Sequence, residues 1–84
     1  MYKAKINVTL KKSILDPQGK TVLHALETLG FEDAKELRVG KHFELKLDVP
    51  DKKKAEERIR AMCDKLLINP VIEDYTFDLE ESSQ

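Results

Sequence analysis

The motif that most suggests chemistry is Gly19-Lys20-Thr21, which matches the end of a phosphate-binding P-loop. A P-loop also needs a glycine five residues before its second glycine, where the backbone curls so that successive N–H groups point at phosphate. Ile14 occupies that position, and its β-branched side chain resists the required backbone conformation. Pro17 removes a further N–H donor. The stretch instead predicts a helix start, with Asp16 as the N-cap and Pro17 at the first helical position.

Few other side chains have the types and spacing that chemistry requires. His24 lies opposite the apolar residues of its predicted helix, and His42 lies in or beside a predicted hairpin loop, with no second metal ligand near either. Cys63 has no neighbouring base and is predicted to pack as a small hydrophobic residue. Glu73 and Asp74 alternate along a strand, so they point to opposite faces and do not form a magnesium site. We therefore predict no catalytic residue and no metal ligand.

The composition limits the class of partner. The chain has 84 residues with a net charge of −1, which gives no strong basic field to attract nucleic acid or anionic lipid. No apolar run approaches the roughly 18 residues of a membrane span, and the single cysteine fits a cytoplasmic protein. One domain spanning residues 1–84 is predicted, with a disordered tail at 80–84. A domain of this size buries only about 60–65% of its unfolded surface, which favours self-association.

The first half of the chain is predicted to hold a strand and a helix. Residues 2–10 alternate apolar and polar side chains, the pattern of a half-buried strand. The helix that begins at Asp16 is predicted to end at Gly30, a usual helix-terminating residue. Its apolar stripe consists of Val22, Leu26 and Leu29.

The middle of the chain is predicted to form a β-hairpin. A short alternation at Leu37 and Val39 precedes Gly40-Lys41-His42, and a longer one follows from Phe43 to Val49. A three-residue loop would pair Val39 with Phe43 and keep the apolar side chains on one face. A two-residue turn at Gly40 and Lys41 would place them on different faces, which only a sheet covered on both sides would tolerate. We prefer the three-residue loop.

The second half repeats the strand and helix alternation. A helix is predicted from Lys52 to Leu67, with Ala55, Ile59, Met62 and Leu66 in one stripe and Cys63 at its edge. Asn69-Pro70 ends it, and residues 71–79 form a last strand. The order β-α-β-β-α-β predicts an α+β, ferredoxin-like fold, a four-stranded antiparallel sheet with two helices on one face.

Three stretches together resemble the PurS subunit of phosphoribosylformylglycinamidine synthase. They are Leu15-Asp16-Pro17-Gln18-Gly19, Arg38-Val39-Gly40-Lys41, and the longer run from Met62 through Asn69-Pro70 to Tyr75. The resemblance extends from Tyr2 to about Leu79. It implies an accessory, non-catalytic subunit of an ATP-dependent ligase in purine biosynthesis, which converts formylglycinamide ribonucleotide to formylglycinamidine ribonucleotide with glutamine as the amide donor.

The same resemblance implies partners and contact residues. The partners are a second copy of the chain, as a homodimer or a dimer of dimers, a PurL-like synthetase subunit and a PurQ-like glutaminase subunit. No cofactor is expected on this subunit, since ATP and magnesium belong to the large one. The alternative is a stand-alone ACT-like regulatory dimer that binds a small ligand. The candidate subunit contacts are Asp16, Pro17, Gln18, Gly19, Arg38, Gly40, Lys41, Asn69, Pro70, Glu73, Asp74 and Tyr75.

Overall fold

A three-stranded antiparallel sheet carries the chain, with the first strand in the centre and the order β2-β1-β3. The structure, a computed structural model, describes residues 1–81. Its elements are β1 (Tyr2–Leu10), α1 (Pro17–Thr28), β2 (Gly40–Leu47), α2 (Lys52–Met62), a π-helical turn (Cys63–Leu67) and β3 (Glu73–Glu81). The predicted α+β class, with two helices and an antiparallel sheet, is confirmed.

The core lies between one face of the sheet and α2. Ala4, Ile6 and Val8 of β1 are almost wholly buried, as the alternation of that strand predicts. Ala55, Ile59 and Cys63 cover them from the helix. A central strand is flanked by neighbours on both sides, which accounts for the nearly complete burial of its inward residues.

The predicted hairpin is wrong. No strand forms at Leu37 and Val39 in the described residues, and the sheet has three strands rather than four. Gly40 begins β2 and pairs with Thr9, while Phe43 pairs with Ile6 of β1 instead of Val39. The apolar alternation of β2 pairs along β1, which is of similar length. Because β2 is paired in this way, it does not form a short hairpin with residues 37–39.

The helix α1 begins and ends as the sequence predicts. The Asp16 carboxylate accepts a hydrogen bond from the Gly19 N–H at 2.9 Å, and Pro17 stands in the first turn. At the other end Gly30 has a φ of 98°, and the Phe31 N–H donates to the Leu26 carbonyl at 2.9 Å. This is a Schellman termination, which favours glycine because of the positive φ.

The placement of α1 differs from the prediction that both helices cover one face of the sheet. Within residues 1–81, α2 alone packs there. Gly19 is the single buried residue of α1, while Val22 and Leu29 of the predicted stripe are 40% and 73% exposed. Within the described part of the chain, no residue buries this apolar stripe. The segments before and after α1 bind each other, and this holds the helix away from the sheet.

The second helix changes pitch before it ends. After Met62 the backbone forms a π turn, in which the Ile68 N–H donates to the Cys63 carbonyl at 3.1 Å. A π turn accommodates one extra residue, so the inward positions shift along the chain. Leu66, predicted in the buried stripe, is therefore 83% exposed, and Ile68 is buried in its place.

The last strand is longer at its end than predicted. β3 runs through Glu80 and Glu81, where the disordered tail was predicted to begin. The rest of that predicted tail, residues 82–84, lies outside the described residues.

Candidate subunit-contact site

The predicted contact residues converge on one end of the sheet, where β1 ends and β2 and β3 begin. Gln18, Gly40, Lys41 and Glu73 line a single cavity of about 260 Å³ there. The other predicted residues lie at the start of α1, in the segment before β2, and from the turn at Pro70 into β3. The pairing of β1 with both neighbours brings the second and third stretches together, and the hydrogen bond from the Val39 N–H to Asp16 adds the first.

Asp16 has a structural role at the base of α1. Its Oδ1 accepts from the Gly19 N–H at 2.9 Å, and its Oδ2 accepts from the Val39 N–H at 2.8 Å. The side chain is 6% exposed. The N–H groups of Val39 and then Gly19 stabilise the carboxylate and hold the pKa of Asp16 below its ordinary value of 3.8. One carboxylate therefore joins both ends of the segment 16–39.

Replacing Asp16 with asparagine is expected to destabilise the fold. An amide has one acceptor oxygen, so one of the two backbone N–H groups loses its partner. Because the pKa of Asp16 is lowered on folding, its contribution is present above pH 3.8 and is lost as the pH falls below it. Urea unfolding at pH 7 and pH 3 should show a stability difference between wild type and Asp16→Asn at pH 7 that shrinks at pH 3.

Asp51 provides a matched control for this substitution. It caps α2 through one N–H only, that of Lys54 at 2.8 Å, and it is exposed. Asparagine caps helices about as well as aspartate, so Asp51→Asn should leave the unfolding midpoint nearly unchanged. Equal losses in the two variants would contradict the role given to Asp16.

Arg38 fastens the same loop from the other side. Its Nη2 donates to the carbonyls of Lys11 at 2.9 Å, Leu10 at 3.2 Å and Ile14 at 3.4 Å. These carbonyls belong to the end of β1 and the turn after it. The guanidinium thus binds three successive parts of this backbone at once, so its first role is to hold the chain on which the site is built.

Two glycines allow close backbone approach at this end. A Cβ on Gly19 would lie 2.6 Å from the Leu37 carbonyl oxygen, and one on Gly40 would collide with the Val8 carbonyl oxygen. Both residues are therefore required by packing within the chain. Their presence in the contact motif has a structural reason, and neither has a side chain to offer a partner.

A charged cluster joins β2 to β3. The Glu73 carboxylate accepts from the Asn69 N–H at 2.7 Å and lies 3.3 Å from the Lys41 Nζ. Asn69 in turn accepts the Val71 N–H on its Oδ1 at 3.1 Å, which closes the turn around Pro70. The Asn69 N–H first, and Lys41 after it, hold the pKa of Glu73 below its ordinary 4.5.

Removing the Glu73 carboxylate is expected to loosen the turn before β3. Glu73→Ala should lower the hydrogen-exchange protection of the Asn69 backbone N–H about tenfold, the effect expected from losing one charge-assisted hydrogen bond. Glu73→Gln retains an acceptor and should lose less. Glu80→Ala, on the same strand and exposed, is the control. Unchanged protection in Glu73→Ala would contradict the cluster.

The remaining predicted residues lie at or near the surface. Pro17, Gln18 and Pro70 are exposed. Asp74 is exposed beside Lys11, whose Nζ lies 3.5 Å from its carboxylate. Tyr75 is half-buried and its ring stacks near Phe77, with centroids 6.3 Å apart, and burial raises the pKa of its hydroxyl.

The residues with metal-binding or nucleophilic chemistry stay apart. His24 is exposed on α1, and the His42 Nδ1 lies 2.7 Å from the Asn7 Oδ1 on the polar face of the sheet. Cys63 is fully buried, which raises the pKa of its thiol. Across residues 1–81, three or more histidine, cysteine or carboxylate side chains nowhere come together as a metal site. Within the same residues, no helix has the length and apolar character to cross a bilayer.

Sequence reasoning missed two apolar surfaces. Phe31, just past α1, is 55% exposed, and Leu66 at the π turn is 83% exposed. The helical period placed Leu66 inside because it assumes a constant pitch. The signal for Phe31 was its position directly after the terminating Gly30, where the α1 stripe continues.

Comparison with known proteins identifies the family of the chain. The family model described as PurS, phosphoribosylformylglycinamidine (FGAM) synthase, matches residues 3–81. The PurS subunit of phosphoribosylformylglycinamidine synthase from Bacillus subtilis is 44% identical over 81 residues, which covers 96% of this chain and 95% of that protein.

Solved structures match over almost the whole chain. The crystal structure of PurS from Methanocaldococcus jannaschii superimposes with a TM-score of 0.90 at 40% identity, covering 99% of this chain and 100% of that one. A chain of the PurLQS structure from Thermotoga maritima matches with a TM-score of 0.87 at 33% identity, covering 94% and 96%. These matches do not favour a stand-alone regulatory dimer. The sequence, the sheet and its end cluster, and these comparisons together show that the chain belongs to the PurS family of FGAM synthase.

Proposed function

We propose that this chain is the small, non-catalytic subunit of FGAM synthase and bridges the glutaminase and synthetase subunits. The observation that carries the proposal is its similarity to a chain of the PurLQS structure from Thermotoga maritima over 94% of its own length. The PurL-like and PurQ-like partners follow from the name of that assembly.

The chemistry assigned to the complex explains why a bridge is useful. The glutaminase subunit releases ammonia from glutamine, and the synthetase subunit uses ATP to activate the amide of formylglycinamide ribonucleotide. Ammonia released into water is protonated and diluted. Docking the two active sites raises its effective concentration without any reaction on the bridge itself.

The sheet end supplies a suitable contact surface. Asp16 and Arg38 fix its loops from within, so the exposed side chains of Gln18 and Asp74 stand on an ordered backbone. A preorganised surface loses less conformational entropy on docking. We assign Pro17, Gln18, Lys41, Pro70 and Asp74 to direct contact, and the other predicted residues to support.

The proposal includes the state of the subunit. We propose that it self-associates as a homodimer or a dimer of dimers and works in the cytoplasm. ATP and magnesium are assigned to the synthetase subunit.

Glutamine-dependent synthase activity tests the bridge directly. The two larger subunits from the same source are assayed with and without this chain, with either glutamine or an ammonium salt as the nitrogen donor. The bridge predicts that adding the chain raises the glutamine-dependent rate at least tenfold, while the ammonium-dependent rate changes much less. Equal stimulation of both rates would mean that the chain supports the synthetase alone, and no stimulation of either would overturn the proposal.

A further inference from the structure

Another cavity, of about 340 Å³, lies between the turn after β1, the start of α1 and the segment before β2. Four of its lining residues are cationic, namely Lys12, Lys20, Lys35 and Arg38. Two others are acidic, Asp16 and Glu36. The whole chain has a net charge of −1, so positive charge is concentrated around this basic cavity against the balance of the molecule.

The ammonium groups of the basic cavity are open to a ligand. Lys12, Lys20 and Lys35 are all exposed, and none of them forms an ion pair within residues 1–81. Asp16 gives both of its carboxylate oxygens to backbone N–H groups. Because the fields of neighbouring cations add, three unpaired lysines around one cavity attract an anionic group more strongly than isolated ones do.

Hydrogen bonds hold the walls of the basic cavity in place. The Val39 N–H donates to Asp16 at 2.8 Å, which fixes the segment before β2 against the start of α1. The Arg38 Nη2 donates to the Lys11 carbonyl at 2.9 Å, which fixes the same segment against the turn after β1. Three separate parts of the chain thus present their cations from an ordered backbone. Such a surface loses less conformational entropy when a partner docks.

The start of α1 lacks the free donors that a phosphate site uses. A helix N-terminus binds phosphate through its unpaired N–H groups. Here Pro17 has no N–H, and the Gly19 N–H donates to the Asp16 carboxylate at 2.9 Å. The Thr21 hydroxyl is also occupied, since it donates to the Pro17 carbonyl at 2.9 Å. Lys20 therefore stands beside the cavity as a surface cation and not as a P-loop lysine.

The basic cavity also has an apolar lining, which consists of Ile14, Leu15, Leu23 and Leu37. Leu15 is 63% exposed, and the other three are half-buried. None of the described lining residues is aromatic, so a nucleotide base has no ring on which to stack. An inorganic anion would leave the apolar side chains uncovered. A protein segment that carries carboxylates beside an apolar side chain matches both parts of the lining.

We propose that the basic cavity is a docking site for an acidic segment of one of the two larger subunits of the synthase. The carboxylates of that segment pair with Lys12, Lys20 and Lys35, and its apolar side chain packs on Leu15 and Leu37. This docking site rests on the proposed function, which supplies the larger subunits. It adds to the sheet end a separate surface and the chemistry of the segment that occupies it.

Charge reversal at two positions tests the docking site. Lys12→Glu combined with Lys35→Glu is the cavity variant, which leaves the hydrogen bonds of Asp16 and Arg38 untouched. Lys12→Arg combined with Lys35→Arg keeps the charge. Lys52→Glu combined with Lys53→Glu is the control, because it makes the same change of charge on exposed residues of α2, outside the cavity. Circular dichroism verifies that each variant is folded.

The measured quantity is the concentration of this chain that gives half of the maximal glutamine-dependent synthase rate with the two larger subunits. The cavity variant should need on the order of tenfold more chain, because repulsion replaces attraction at two positions. Its maximal rate should equal that of the wild type. The arginine variant and the control should stay near the wild-type value. Added salt should weaken the wild type more steeply than the cavity variant, since the wild type forms more ion pairs.

Two results would overturn the docking site. One is a cavity variant that needs no more chain than the control does. The other is a rise in the melting temperature of the wild type, but not of the cavity variant, in millimolar pyrophosphate, because the cavity would then be a phosphate site.

The wild-type chain separates this proposal from the bridge. If the wild type and the cavity variant stimulate the glutamine-dependent rate equally at every concentration, the bridge stands and the docking site falls. If the wild type stimulates nothing, the bridge falls, and sedimentation of the chain with each larger subunit decides the rest. Binding that the cavity variant loses would leave the docking site standing alone, and absence of binding would overturn both proposals.

Discussion

Ile59→Ala is expected to lose about 2–5 kcal/mol of unfolding free energy, the usual cost of truncating a wholly buried isoleucine. Ile59 is 0% exposed and belongs to the same buried cluster as Ile6 and Val8. Its side chain helps to attach α2 to the sheet. Truncation to alanine would leave a cavity in the core between α2 and the sheet. Since a chain of 84 residues has a total stability of about 4–13 kcal/mol, this loss is a large fraction of the total and should lower the urea midpoint clearly.

Urea denaturation followed by circular dichroism measures this loss. Ile59→Val removes one methylene group and should cost about 0.5–1.5 kcal/mol, so the two variants form a graded series. Leu15→Ala is the control, because Leu15 is 63% exposed and should change stability by less than about 0.5 kcal/mol. A loss in Ile59→Ala no larger than that of the control would show that α2 is not held by this core.

Gly40→Ala is expected to destabilise the chain by about 1–3 kcal/mol through steric overlap. The added methyl group would collide with the Val8 carbonyl oxygen, which is backbone of the central strand and cannot rotate away. The collision lies where Gly40 pairs with Thr9, so β1 and β2 must separate at the contact site. Loss of stability should therefore be accompanied by weaker assembly with the partner subunits.

Gly30→Ala separates this effect from glycine loss in general. Gly30 has no atom within 4 Å of an added Cβ, but its φ is 98°. Its substitution should cost about 1 kcal/mol through backbone strain alone and should leave the amide exchange of β1 unchanged. Gly40→Ala should accelerate exchange at the end of β1. Unaltered exchange there would contradict the proposed collision.

The contact motif combines residues of two kinds. Asp16, Gly19, Arg38 and Gly40 each have a partner or a close neighbour inside the chain. Gln18 and Asp74 stand outward on the surface that these residues order. A sequence resemblance marks both kinds alike, since it does not distinguish the residues that shape a surface from those that touch a partner.

Some predictions failed because pairing and pitch depend on distant residues. The alternation at Leu37 and Val39 has strand character, but β1 takes β2 as its partner and leaves that segment outside the sheet. Leu66 fits the apolar stripe of an ideal helix, but the π turn after Met62 rotates it outward. A local window of sequence shows neither the choice of strand partner nor the change of helical pitch.

Local chemistry was enough to specify several features of the fold. Period-two alternation specified β1, Asp16 and Pro17 specified the start of α1, and Gly30 specified its end. These depend on backbone dihedral preferences and on hydrogen bonds between residues a few positions apart. The resemblance to PurS also followed from the order of three short motifs.

The placement of these elements depends on contacts between residues far apart in the chain. It set β1 between its two partners, tied Asp16 to Val39 across 23 residues, and held α1 away from the sheet. The reason is that an apolar stripe requires burial but does not specify which surface buries it. That choice depends on long-range pairing, and here it leaves the apolar stripe of α1 exposed.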